Sequence, residues 1–164
     1  MYLNDVLQKI NCRKETYYKS MEEICNISSD NNTMYGYVAG IIDGEGSIEI
    51  HKNRSGFVPR ITVTNTNDKL ILYVKSILKF GSIIRRKNGI NRKDVYVLII
   101  SNPKEILEVL KIIYPYLKIK QDRAIIMLYF VTEKLIHHKL ILCRDTQSEY
   151  NLYSQMRVLN HRGK

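Results

Sequence analysis

The chain has no tryptophan, only three prolines and only three cysteines in 164 residues. Cys12, Cys25 and Cys143 form no Cys-x-x-Cys pair and sit in no Cys/His cluster, so neither a disulfide framework nor a zinc site is supported. An intracellular, reducing compartment is the expectation. Long hydrophobic runs are missing as well. The longest, around Val95–Ile100 and Ala124–Val131, are far too short to cross a bilayer. The N-terminus carries Asp5 and no long apolar stretch, which argues against a secretory signal. No membrane partner is expected. There is no phosphate-binding P-loop, no nucleophile elbow and no zinc-finger spacing, and no small-molecule cofactor is expected.

Acidic residues are the remaining shortage. Sixteen Asp and Glu face 26 Lys and Arg, a net charge of +10, with a pI of about 9.5. A surface this cationic points to a polyanionic partner, in the first place nucleic acid. The length bounds the chain at one domain with a small appendage, long enough for a real core.

Residues 1–32 are polar and mixed in charge, and are expected to be an N-terminal extension with a short helix near Arg13–Ile24. Ser28–Thr33 is expected as a loop rich in N-cap residues. Residues 33–164 form the main domain. Helical spacing is expected over Thr33–Ile42, over Asp68–Phe80 ended by Gly81, over Pro103–Ile113, over Lys120–Lys134 and over Thr146–Leu159. Ser47–Asn53 and Val58–Asn65 alternate, with Ile48, Ile50, Ile61 and Val63 on one side. Ser82–Lys87 and Asp94–Ile100 complete two hairpins. The class is α+β: one four-stranded antiparallel sheet with helices on one face. On the other face stand Glu49, His51, Asn53, Arg60, Thr62, Thr64 and either Arg85 or Arg86, depending on register. The tips add Lys52, Arg54, Arg92 and Lys93. Such a face fits a DNA major groove, although antiparallel sheets commonly leave one face wet.

The densest signal is Val38-Ala39-Gly40-Ile41-Ile42-Asp43-Gly44-Glu45-Gly46. A helix here runs into two carboxylates at its negative end, which is unfavourable without a compensating cation. Gly36 and Gly40, one turn apart, let another backbone approach closely. The combination suggests two tightly packed helices delivering acids to a hard, oxygen-seeking cation such as Mg²⁺, which would serve phosphodiester cleavage. Asn65 and Lys69 follow the second strand, and Lys118 and Lys120 precede the apolar helix. A lysine near a scissile phosphate can stabilise developing charge, but plain surface lysines are the commoner explanation.

This motif resembles that of the LAGLIDADG homing endonucleases. Pro115-Tyr116-Leu117-Lys118-Ile119-Lys120 is similar to the family's Pro-x-Leu-x-x-Lys segment. The resemblance spans about 33–135 and leaves the extension and the helical tail after about 140 unexplained. It implies the αββαββα fold with a saddle-shaped sheet. It further implies an intron- or intein-associated, site-specific double-strand DNA endonuclease. Glu45 would bind the metal and be essential, with Gly44 offering its carbonyl. The ion would be Mg²⁺, with Mn²⁺ or Ca²⁺ as alternatives at the same site. Asp43 would be structural, Asn65 would order water, and Lys69 and Lys120 would lie near the scissile phosphate. Bases would be read by the strand face, including Arg54 and the third-strand residues Ser82, Ile84, Arg85, Arg86 and Lys87. A single motif implies a homodimer through Gly36, Ala39, Gly40 and Asp43, cutting a long pseudo-palindromic site to leave 3′ overhangs. The alternative on the same fold is a non-cleaving nucleic-acid binder, an intron maturase or a transcriptional regulator.

Overall fold

The computed structural model describes the backbone of residues 29–54, 56–89, 92–140 and 146–161, and side chains within them except at 29–31 and 136–140. Two compact units are distinguished, Met1–Thr33 and Met34–Lys164. The helix expected at Arg13–Ile24 and all three cysteines lie outside the described residues.

The order is α1 (Ser29–Glu45), β1 (Gly46–Asn53), β2 (Gly56–Asn65), α2 (Asp68–Leu78), β3 (Ser82–Arg86), β4 (Val95–Ile100), α3 (Pro103–Ile113), a 3-10 turn (Tyr114–Tyr116), α4 (Gln121–Leu140) and α5 (Thr146–Asn160). The four strands form one antiparallel sheet in the order β1-β2-β4-β3. Pairing Ile48 with Ile61, Ile61 with Ile100 and Val63 with Leu98 puts these side chains on one face. All of them are buried under the helices. Ile71, Val74 and Leu78 of α2 and Ile106, Val109 and Leu110 of α3 complete the core from the helical side. Each such residue contributes roughly 1.5–3 kcal/mol by leaving water. Among the described residues no helix is long and apolar enough to cross a membrane.

Several helix ends differ from the sequence expectation. The segment expected as a loop before Thr33 is already helical from Ser29, and α1 continues past Ile42 through both motif acids to Glu45. Helix α2 stops at Leu78, and its left-handed cap is Lys79, with φ 64°, two residues before Gly81. Its turn is held by Lys75, whose Nζ donates to Lys79 O at 3.1 Å and Gly81 O at 2.7 Å. Gly81 answers a different need. Its φ is +84°, and a Cβ there would lie 2.6 Å from Ile99 O. The two asparagine caps behave as their chemistry dictates. Asn67 Oδ1 accepts from Lys69 N at 3.0 Å, and Asn102 Oδ1 from Lys104 N at 3.0 Å, with Pro103 opening α3.

Candidate active site and nucleic-acid face

The C-terminal end of α1 leaves carbonyl groups without helical partners and adds two carboxylates. The chain resolves this with the segment before α4. The Asp43 carboxylate accepts three backbone N–H groups, from Lys118 at 2.7 Å, Ile119 at 3.2 Å and Lys120 at 2.9 Å. Lys120 returns the contact: its ammonium donates to Ile42 O at 2.9 Å and to Asp43 O. The missing cation of the helix end is therefore Lys120. Partial burial lowers its pKa below the ordinary lysine value; Asp43 opposes that shift and nearby Arg123 adds to it. The backbone cradle at 118–120 had no sequence signal beyond the Pro-x-Leu-x-x-Lys spacing, because main-chain donors carry no residue identity.

With Asp43 occupied, Glu45 is the motif acid left exposed, as is Gly44. A carboxylate and a main-chain carbonyl are hard oxygen donors, the set that Mg²⁺ or Ca²⁺ takes. The described residues contain no cluster of three or more His, Cys, Asp or Glu able to enclose a metal.

Glu45 passes directly into Gly46, the first residue of β1, and Gly46 pairs with Val63. The ladder therefore brings the end of α1 to the end of β2, where Asn65 stands. Asn65 Oδ1 accepts from Asn67 N at 2.9 Å, which turns the chain into α2 and sets Lys69, exposed, in its first turn. Glu45, Asn65, Lys69 and Lys120 thus enter from four elements whose ends converge at one end of the sheet.

The face away from the helices is now defined in register. β1 contributes Ser47, Glu49, His51 and Asn53, and β2 contributes Arg60, Thr62 and Thr64. His51 Nε2 lies 2.8 Å from Glu49 Oε1. Arg60, opposite Glu49, has a buried Nε with no hydrogen-bond partner among the described residues. Arg54 is exposed in the turn after β1, and Lys87 follows β3, also exposed. Pairing of Ile83 with the buried Leu98 settles the open question on β3. Ser82, Ile84 and Arg86 share the open face. Arg85 is a correction: it falls on the opposite side, opposite Tyr96, and pairs with Asp94. Residues Val95, Val97 and Ile99 also stand on the open face. They were not anticipated, because an unbroken apolar run shows no alternation from which to tell its two faces apart.

Within the expected dimer helix one residue, Ala39, is a correction. Ala39 is fully buried within its own chain. A Cβ on Gly36 would meet Tyr116 Cδ1 of the same chain at 3.7 Å. Asp43 is engaged as described. Gly40 and Gly44, in contrast, have nothing within 4 Å. With Tyr37, 55% exposed, they form an outward stripe at helical spacing.

Residues 32–114, half the chain, match the model of the LAGLIDADG-like domain. The chain belongs to the LAGLIDADG family. No curated protein matches the sequence. Among solved structures this LAGLIDADG chain is similar to the homing endonuclease I-CvuI in complex with DNA, at 18% identity and a TM-score of 0.69, over 84% of this chain and 87% of that one. It is similar to the group I intron-encoded homing endonuclease I-CeuI complexed with DNA, at 18% identity and a TM-score of 0.58, over 93% and 84%. It also matches the I-SmaMI homing endonuclease bound to cleaved DNA, at 20% identity and a TM-score of 0.55, over 73% of this chain but 41% of that one. The α+β architecture is the LAGLIDADG homing endonuclease fold.

Proposed function

We propose that this LAGLIDADG chain is a divalent-metal-dependent, site-specific double-strand DNA endonuclease of the intron- or intein-associated type, acting as a homodimer. The observation that carries the reading is the split between the two motif acids: Asp43 is consumed by three backbone N–H groups, and Glu45 is left exposed beside Gly44. Glu45 and the Gly44 carbonyl would hold Mg²⁺, with Mn²⁺ or Ca²⁺ at the same position; I-CvuI is described with Mg and with Ca. The ion, when bound, supplies Lewis-acid polarisation of a phosphate and a more acidic water. Asn65, whose amide nitrogen is left over from its turn, would orient water near the phosphate. Lys69, exposed, neutralises charge on the phosphate. Lys120 holds the end of α1 and keeps Glu45 in place.

The homodimer is supported by two facts. One chain supplies one motif and an incomplete set of cation ligands among its described residues. The same fold unit fills most of I-CvuI but under half of the longer I-SmaMI chain. Joined along Tyr37, Gly40 and Gly44, two copies would cut one strand each of a pseudo-palindromic site, leaving 3′ overhangs. Net charge +10 per chain and the unpartnered Arg60 Nε on the open face support DNA as the partner.

The test is Glu45→Gln. The protein and a randomised DNA library are incubated with Mg²⁺ and the cut ends sequenced. Wild type is expected to give a defined staggered cut, and the variant to bind the same duplex without cutting it. Cutting at full rate by the variant overturns the assignment. Binding without cutting by wild type would place the chain among the non-cleaving binders.

A further inference from the structure

The open face of the sheet is chemically divided. Its β1–β2 half carries hydrogen-bonding groups: Glu49, His51, Arg60, Thr62 and Thr64. Its β4–β3 half is mostly aliphatic, with Ser82 and Arg86 at the two ends of β3. Thr64 pairs with Val97 and Val97 with Ile84; Thr62 pairs with Ile99 and Ile99 with Ser82; Val95 pairs with Arg86. Ile84, Val95 and Ile99 therefore lie together around Val97, which is itself buried, so the accessible apolar surface is Ile84 with the half-buried Val95 and Ile99. Ile84 is 46% exposed, on an edge strand where water would favour a polar residue. Arg86 and Lys87, both exposed, border the patch at the end of β3. An apolar patch rimmed by cations marks a contact surface for something that is apolar in places and anionic around them.

We infer that the β4–β3 half of this face recognises thymine by its C5 methyl group, so that each half-site of the target requires thymine where these strands lie. The inference rests on the DNA-binding reading above and refines it. In the major groove only thymine presents a methyl group, and aliphatic side chains are its natural contacts. The cationic rim matches the phosphates on either side. The position follows from the ladder. β4 pairs with β2 only over Ile61–Asn65, whereas β1 follows β2 back to Gly56. The aliphatic half therefore lies at the Asn65 end, beside the start of β1 and Glu45. Thymine is required in the inner part of each half-site, where Thr62 and Thr64 stand beside the aliphatic strands, and Glu49, His51 and Arg60 read the outer part.

A randomised duplex library is prepared twice, once with thymine and once with uracil, which lacks only the methyl group. Both are selected for binding to the full chain without divalent cations. The best thymine duplex is then remade with single thymine-to-uracil replacements. Each inner replacement should weaken wild-type binding about fourfold, the value of one methyl-sized group leaving water. Ile84→Ser, at an exposed position, should bind the thymine and uracil forms equally at one inner position and keep the wild-type ratio at the outer ones. Equal binding of thymine and uracil duplexes by wild type overturns the inference while leaving DNA binding intact. So does an Ile84→Ser protein with the wild-type ratio at every position. Failure of both libraries to yield any bound duplex removes the DNA-binding reading itself.

Discussion

Asp43 and Lys120 secure each other's backbone. The Asp43 carboxylate accepts the Lys120 N–H at 2.9 Å, and the Lys120 ammonium donates to Asp43 O and to Ile42 O. One side chain caps the start of α4 and the other the end of α1. Two helix termini of opposite polarity satisfy each other.

Asp43→Ala should therefore cost stability before it costs chemistry. Three N–H groups would lose a charged acceptor, a loss of roughly 2–3 kcal/mol. The denaturant midpoint should fall with an unchanged slope. Asp43→Asn, which keeps one oxygen, should fall by less. An unchanged midpoint for Asp43→Ala would refute the capping role.

Lys120 should titrate below the ordinary lysine value, because burial disfavours its charged form. The sign follows from proton counts. From the lowered folded value up to the ordinary 10.5 of the unfolded chain, the unfolded state binds more protons. The contribution of Lys120 to stability thus rises with pH across that window. Carbon-13 NMR of labelled lysines would follow the titration directly. The rise should be missing in Lys120→Met.

Gly40→Leu and Ala39→Leu, adjacent on one helix, should fail differently. Gly40 faces open space, and replacing glycine inside a helix favours the monomer by up to about 1 kcal/mol. Gly40→Leu should hold or raise monomer stability and prevent dimerisation, as seen by light scattering. Ala39 is fully buried, so Ala39→Leu should destabilise the monomer by roughly 1–3 kcal/mol through overpacking. A Gly40→Leu protein that still dimerises would exclude this helix stripe as the interface.

Affinity for DNA should fall steeply with salt as phosphate contacts displace counterions. Six or more such contacts predict a loss of about 1,000-fold or more between about 50 and about 200 mM salt. Titrations over that range measure it, and a flat response would contradict extensive phosphate contact.

Half-buried elements were the most legible in the sequence. Ile48, Ile50, Ile61 and Val63 alternate because one side of β1 and β2 meets the core, and alternation alone identifies such a strand. β4 offered no such guide: Val95–Ile100 is apolar on both faces, so its open-face residues and the register of β3 became clear only through pairing with Leu98. The end of α1 was hidden for a different reason. Asp-Gly-Glu-Gly has the composition of a turn. It stays helical because Lys120, 77 residues away, supplies the charge the helix end requires, and no local window contains that information. The end of α2 depends likewise on Lys75 reaching past Lys79 to Gly81. Within the candidate site, the family resemblance set Asp43 apart from Glu45 as an expectation, whereas the backbone cradle that occupies Asp43 left no trace in the sequence.

Gly46 joins α1 to β1 with no intervening loop, and a Cβ there would come within 2.7 Å of Ile42 O and 2.8 Å of Ile42 Cα. Gly46→Ala should consequently force backbone movement and lower stability by roughly 1–3 kcal/mol, measurable by thermal unfolding. The tight join also has a metric consequence. For an enzyme that reads bases with β1 and cuts beside Glu45, the interval between reading and cutting has no adjustable part. Under the proposed function the molecule would be a gauge of set length, and a new target could alter which bases are read but not how far from them the strand is broken.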